Sequence, residues 1–245
     1  MERGFVLFAC AGVEGALAPS RSLRMKNVLI LGASGGIGAA LTAACKARGD
    51  VVTGLSRSGD GFDITDDASV AQHLASLSAP FDLIIVATGA LEINGAVPEK
   101  SIRNVTAQAM LDQFELNAVG PALVLSHAAR LLPRDRPSVF AVLSARVGSI
   151  GDNKIGGWIS YRSAKAAVNQ VVRTASIELA RTHPQSVCVA LHPGTVQTAF
   201  TEKYLGRHPS VPASEAAHNL LRVVDGLSAA QTGRFFDWAG KEVAW

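Results

Sequence analysis

Two residues in the run Tyr161-Arg162-Ser163-Ala164-Lys165 carry side chains able to exchange protons, and they stand four apart. In a helix that spacing puts both on one face, so a phenol and an ammonium can meet the same ligand. A tyrosine titrates near 10 and is a poor base at neutral pH unless a neighbouring cation favours its phenolate. Lys165 is such a cation. The plainer alternative is an exposed tyrosine beside a solvated lysine, and what argues against it is the company the pair keeps along the chain.

A strand pattern ending at Leu31 runs into Gly32-Ala33-Ser34-Gly35-Gly36-Ile37-Gly38, followed by the small helix-forming residues Ala39 and Ala40. A helix N-terminus offers unpaired N–H groups and partial positive charge, and glycines let a pyrophosphate approach it. Lying between strand and helix at the start of a βαβ unit, the cluster reads as a dinucleotide loop rather than a plain tight turn. At the end of the second strand pattern, where an acid would bind ribose hydroxyls, stands Ser56-Arg57. An arginine there can grip a 2′-phosphate through its fork of donors.

The spacing Gly32-x-x-x-Gly36-x-Gly38, followed by Tyr161-x-x-x-Lys165, resembles the short-chain dehydrogenase/reductase family over Met25 to Trp245. Arg146 to Asn153 and the closing Phe235 to Glu242 look most like the carbonyl reductases grouped with Sniffer and bacterial C-factor. The resemblance implies hydride transfer between NADP(H) and a carbonyl or alcohol, with an oxidised nicotinamide as a second cation beside Tyr161. Lowering the phenol's pKa by roughly three units corresponds to about 4 kcal/mol, within reach of two cations at a partly desolvated site. A C-factor-like signalling protein that binds a dinucleotide with little turnover is the alternative.

The same resemblance implies roles residue by residue. Gly32, Ser34, Gly36, Ile37 and Gly38 hold the diphosphate region, Ser56 and Arg57 select the phosphate-bearing cofactor, and Asp63 contacts the adenine, although Asp63 could equally be a helix-capping acid. Asn117 orders a proton-relay water, or else caps a helix kink locally. Pro193, Gly194, Val196 and Thr198 hold the nicotinamide carboxamide, and Lys165 also contacts the ribose.

Two positions depart from the family pattern. Its Asn-Asn-Ala-Gly turn reads Val86-Ala87-Thr88-Gly89, so Thr88 stands in for a missing amide. Its Ser-Ser pair, with the second serine active, reads Ser144-Ala145. Neighbouring strand residues face opposite ways, so Ser144 orients a carbonyl only if the strand end twists. Ser144 is the first choice and Ser149 the second. Trp158 and Trp245 are candidates for the pocket wall, against an equal expectation of plain packing.

Positioning these groups calls for a doubly wound parallel sheet, an α/β Rossmann fold, in one domain of residues 25–245. Short β-branched runs alternate with amphipathic stretches. Strands are expected over Asn27 to Leu31, Val51 to Leu55, Phe81 to Ala87, Ser138 to Leu143, Val187 to Leu191 and Arg234 to Phe236, with a very short one near Phe62. Helices are expected over Ile37 to Ala47, Asp67 to Leu77, Ala107 to Leu132, Tyr161 to Arg181 and Ala213 to Asp225, with Pro121 kinking or dividing the third.

The 245 residues suffice for one core, and 48% hydrophobic with 18% charged residues fits a globular enzyme without a membrane span. The net charge of +3 comes from scattered Lys and Arg, which does not suggest nucleic acid. Three separated cysteines and six histidines show no metal-ligand spacing, and the odd cysteine count suits a reducing cytoplasm. Residues 1–24 carry an apolar stretch with a small-residue site at Ala16-Leu17-Ala18, interrupted by Glu14 and followed by Pro19. Over a weak secretory signal we expect a disordered extension or a start upstream of the true one at Met25. The family likeness further implies a homodimer or homotetramer acting on a small-molecule carbonyl.

Overall fold

The computed structural model describes residues 26–199, 201–204 and 209–245. The expectations for residues 1–24, Cys10 and His208 lie outside them. Six parallel strands form the sheet: β1 (Asn27–Leu31), β2 (Val51–Leu55), β3 (Leu83–Val86), β4 (Ser138–Leu143), β5 (Ser186–His192) and, last in the chain, β8 (Phe235–Asp237), in the order β2-β1-β3-β4-β5-β8. Two-residue strands β6 (Val196–Gln197) and β7 (Val211–Pro212) pair apart from it. β-Branched runs buried on both faces explain the parallel sheet. Leu29 and Leu31 of β1 point into one core, while Val28 and Ile30 point into the other.

Helices α1 (Gly36–Ala47) and α8 (Ala213–Gly226) cover the second core through Leu41, Leu220 and Val224. Between α1 and α8 in the chain come the single turn α2 (Arg57–Asp60), α3 (Asp67–Ala75), α4 (Ala107–Phe114), α5 (Gly120–Ser126), the short α6 (Ala128–Leu131) and the 24-residue α7 (Ile159–Thr182). The opposite core is closed by α3, α5 and α7, through Val70, Val124 and Val168. Among the described residues no helix is long and apolar enough to cross a membrane.

No strand forms near Phe62. That segment instead sinks Phe62 and Ile64 into the core, with Ile64 against Gly120, where an added Cβ would lie 3.0 Å from its side chain. The long third helix is divided, but upstream of the proline. Residues Glu115–Val119 form a wide π turn in which Gly120 N–H donates to Glu115 O. Pro121 has no N–H to offer the Asn117 carbonyl four residues earlier, so the regular ladder fails there and the helix widens around Asn117.

After β1 the chain goes out to β2, then crosses back to β3, which makes the C-terminal ends of β1 and β3 the place where the winding reverses. Open sheets of this kind bind ligands at that crevice. Gly32, at φ +90°, lies so close to the end of β3 that a Cβ on it would stand 3.0 Å from Ala87 C and Thr88 N.

Candidate active site

A cleft of about 320 Å³ opens at that reversal, running from Gly35, Gly36 and Ile37 to Tyr161 and Lys165. Its first end is the N-terminus of α1, which no side chain caps. A Cβ on Gly38 would fall 2.1 Å from Gly32 O, and one on Gly36 2.6 Å from Thr198 Cγ2. Only glycine keeps this turn closed and the helix N–H groups reachable, which is what a diphosphate needs.

Thr88, Gly89, Pro193, Gly194, Val196 and Thr198 all line the cleft. Thr88 Oγ1 is buried without a partner, as are Asn117 Oδ1 and His192 Nδ1. Buried polar atoms are normally satisfied, so two orphans on the cleft lining, with Asn117 Oδ1 next to Gly89, point to a polar ligand. With the open helix end and the glycine cradle, the residues fit a nicotinamide dinucleotide. Among the described residues no group of three or more His, Cys, Asp or Glu could hold a metal ion.

The residues after β2 divide. Ser56 is buried and turned inward: its hydroxyl donates to Asp60 Oδ2 at 3.2 Å and accepts from Gly59 N–H. Ser56 is therefore spent on its own turn. Arg57 is exposed with no ion-pair partner among the described residues, and Ser58 donates to Ser34 at 3.0 Å. Asp63 closes a local turn by accepting from Thr65 Oγ1 at 2.7 Å and Thr65 N–H at 2.9 Å, and these bonds hold its carboxyl below the usual range. The acid that caps α3 is Asp66, which accepts from Ala68 N–H.

At the far end Tyr161 is buried in the first turn of α7 and Lys165 one turn later, both reaching the cleft. Lys165 Nζ lies 5.7 Å from the Tyr161 ring centre and donates to Leu143 O at 3.0 Å. In the protein alone, burial dominates the phenol and pushes its pKa above 10, whereas the expected lowering is by Lys165 and an oxidised nicotinamide together. The same burial brings Lys165 down to about 8. Asn117 donates to Gln113 Oε1 at 2.7 Å and to Ala90 O at 3.0 Å. This leaves Oδ1 facing Gly89: a Cβ on Gly89 would lie 2.8 Å from that oxygen and 3.4 Å from Lys165 Nζ.

Of the two serines, Ser144 reaches the cleft, while Ser149 is buried away from it and accepts from Asp152 N–H. Ser144 Oγ donates to Asn169 Oδ1 at 2.6 Å, a partner no motif suggested. Trp158 packs edge-on to Tyr161 and Tyr204, at 6.4 and 5.4 Å between ring centres. Its φ of +54° costs a non-glycine residue roughly 1–2 kcal/mol. Trp245 stacks on Phe235 instead of bordering the cleft. Gln113 could have been suspected from its place four residues before Asn117. His192 lines the cleft, and its burial, aided by Arg146, lowers its pKa to about 4.

A family model described as enoyl-(acyl carrier protein) reductase matches residues 60–236. The C-signal protein of Myxococcus xanthus is 39% identical over 137 residues, 56% of this chain and 78% of that protein. A 1-hydroxy-2-glutathionyl-2-methyl-3-butene dehydrogenase of Rhodococcus sp. (strain AD45) is 30% identical over 239 residues, 90% of this chain and 100% of that one. An NADPH-bound carbonyl reductase from chicken fatty liver superposes with a TM-score of 0.74 at 26% identity, over 91% of this chain and 100% of its own. The glycine cradle, the Tyr161–Lys165 face and these matches agree, and the chain belongs to the short-chain dehydrogenase/reductase family of oxidoreductases.

Proposed function

We propose that this oxidoreductase uses NADPH to reduce a small-molecule carbonyl to an alcohol, with Tyr161 as the acid. The observation that carries the reading is one cleft with an uncapped helix N-terminus at one end and Tyr161 and Lys165, with Asn117 behind them, at the other. Gly32, Ser34, Gly36, Ile37 and Gly38 would hold the diphosphate and Arg57 the 2′-phosphate, with Asp63's turn bordering the adenine. Thr88, Gly89, Pro193, Gly194, Val196 and Thr198 would frame the nicotinamide, which supplies the hydride when bound.

Burial keeps the Tyr161 phenol protonated, the state from which it donates a hydrogen bond to a carbonyl oxygen and then a proton to the alkoxide that forms. One of the three ammonium protons of Lys165 is held by Leu143 O, leaving two for a ribose hydroxyl and for the phenolate left by proton transfer. Asn117 Oδ1 is the acceptor that can hold a water behind Lys165 for reprotonation. Ser144 gives its proton to Asn169, so towards the cleft it serves as an acceptor. With the family reading go a homodimer or homotetramer and a cytoplasmic location.

A second reading, a dinucleotide-binding signalling protein with little turnover, draws on the likeness to C-signal and on that committed serine. The two separate by following NADPH oxidation across aldehydes, ketones and quinones. Alcohol formed in step with NADPH consumed supports the reductase; tight NADPH binding with no turnover supports the signalling protein.

A further inference from the structure

Tyr161 sits in a helix whose start is not self-supporting. Gly156, Gly157 and Trp158 all have positive φ, +71°, +68° and +54°, and no side chain of α7 caps its own N-terminus. A small cavity bordered by Leu91, Gln113 and Ser160 also touches Tyr161. What holds the turn comes from 61 residues away. Glu99, in the loop between β3 and α4, is buried. Its Oε2 accepts from Ser160 N–H at 3.3 Å, its Oε1 accepts from the Ser160 hydroxyl, and its main-chain oxygen accepts from Trp158 N–H at 2.6 Å. From the other side Arg162 donates to Gly157 O at 2.8 Å, Gly156 O at 3.1 Å and Val147 O at 3.2 Å. The residues on both sides of Tyr161 are thus tied down by opposite charges, and an acidic group suits the N-terminus of a long helix.

We infer that Glu99 is a positioning residue for carbonyl reduction: its carboxylate clasps the first turn of α7 and so sets the Tyr161 phenol against the substrate. The inference rests on the reductase reading for its consequence in catalysis, and on geometry alone for the clasp. A small displacement of an acid from its reacting oxygen is enough to cost on the order of a hundredfold in rate.

The test compares Glu99→Ala with Glu99→Gln in the full chain. The amide can still accept from Ser160 N–H through Oε1 and donate to Ser160 Oγ through its nitrogen, so it preserves the clasp without the charge. Glu99→Ala should lower kcat at least about tenfold and raise KM for the carbonyl, with the Kd for NADPH kept within about threefold, since the dinucleotide contacts lie elsewhere. Glu99→Gln should recover most of the loss. Ser160→Ala, which removes only the hydroxyl, should show a smaller loss of the same kind and stands in if Glu99→Ala does not fold.

A readout independent of activity is the near-ultraviolet circular dichroism of the Trp158–Tyr161–Tyr204 ring group, identified as the signal lost in Trp158→Leu. Glu99→Ala should lose that band while keeping its far-ultraviolet spectrum, and Glu99→Gln should keep both. An unchanged band, or a kcat loss that only follows the unfolded fraction, overturns the inference. If the unaltered protein reduces no carbonyl, the reductase reading fails while the band still tests the clasp.

Discussion

Ser144 Oγ donates to Asn169 Oδ1 at 2.6 Å, and Asn169 Nδ2 in turn faces Gly148 O at 3.4 Å. The second contact fixes the amide's orientation, because a flipped Asn169 would set its oxygen against a carbonyl. A serine has one proton, and this one is taken. Towards the cleft Ser144 offers lone pairs, which in the proposed reduction leaves Tyr161 as the donor to a carbonyl oxygen.

Ser144→Ala should therefore cost less than about tenfold in kcat, well short of the loss expected on removing a positioned acid. Steady-state kinetics with the best carbonyl from a panel measures it. A loss as large as that of Tyr161→Phe would mean that the hydroxyl leaves Asn169 and donates to substrate.

How far the sequence reached follows a physical line. Strands β1, β2 and β4 match their expected bounds, because local β-branched runs specify buried parallel strands. Helix α7 begins two residues early, at Ile159, because its first turn is supported by Glu99, 61 residues away, together with its own Arg162. The segment near Phe62 reads as a strand because burial of Phe62 and Ile64 in a coil gives the same apolar pattern. In the site, the glycine turn and the Tyr161–Lys165 pair were legible, since each is one short segment with its own chemistry. Glu99 and Asn169 were not, since their roles depend on neighbours brought together only by the fold. Ser56 looked like a phosphate ligand beside Arg57 until Asp60 took its hydroxyl.

Arg57, exposed and without an ion-pair partner among the described residues, carries the expected preference for NADPH over NADH. Arg57→Ala should weaken NADPH by about ten- to over a hundredfold, one charge-assisted contact of roughly 1.5–3 kcal/mol, and leave NADH nearly unchanged. Fluorescence titration with both cofactors measures this. Equal affinities in the unaltered protein would remove Arg57 as the selector.

The lowered pKa of Lys165, about 8 against 10.5 for a free lysine, has consequences for binding and for stability. NADPH affinity should fall as pH rises through about 8 and the ammonium is lost, and Lys165→Met should abolish that break. For stability the sign is opposite. The folded protein releases this proton before the unfolded chain does, so the cost of burying the charge is complete below pH 8 and disappears as pH rises towards 10.5. That net cost is of the order of 3 kcal/mol. Lys165→Met should therefore raise Tm at pH 7 while destroying activity, a trade of stability for function. A lower Tm in this variant would show that the ammonium stabilises the fold.

The central claim is that Tyr161 delivers the proton. Tyr161→Phe keeps the ring against Trp158 and removes only the hydroxyl, so the fold and NADPH binding should persist. The most direct measurement is kcat for NADPH-dependent carbonyl reduction by purified wild-type and Tyr161→Phe proteins, with NADPH affinity determined alongside. The account predicts a fall of at least about a hundredfold in kcat at nearly unchanged Kd for NADPH. Turnover by Tyr161→Phe within a few fold of the wild type would contradict it.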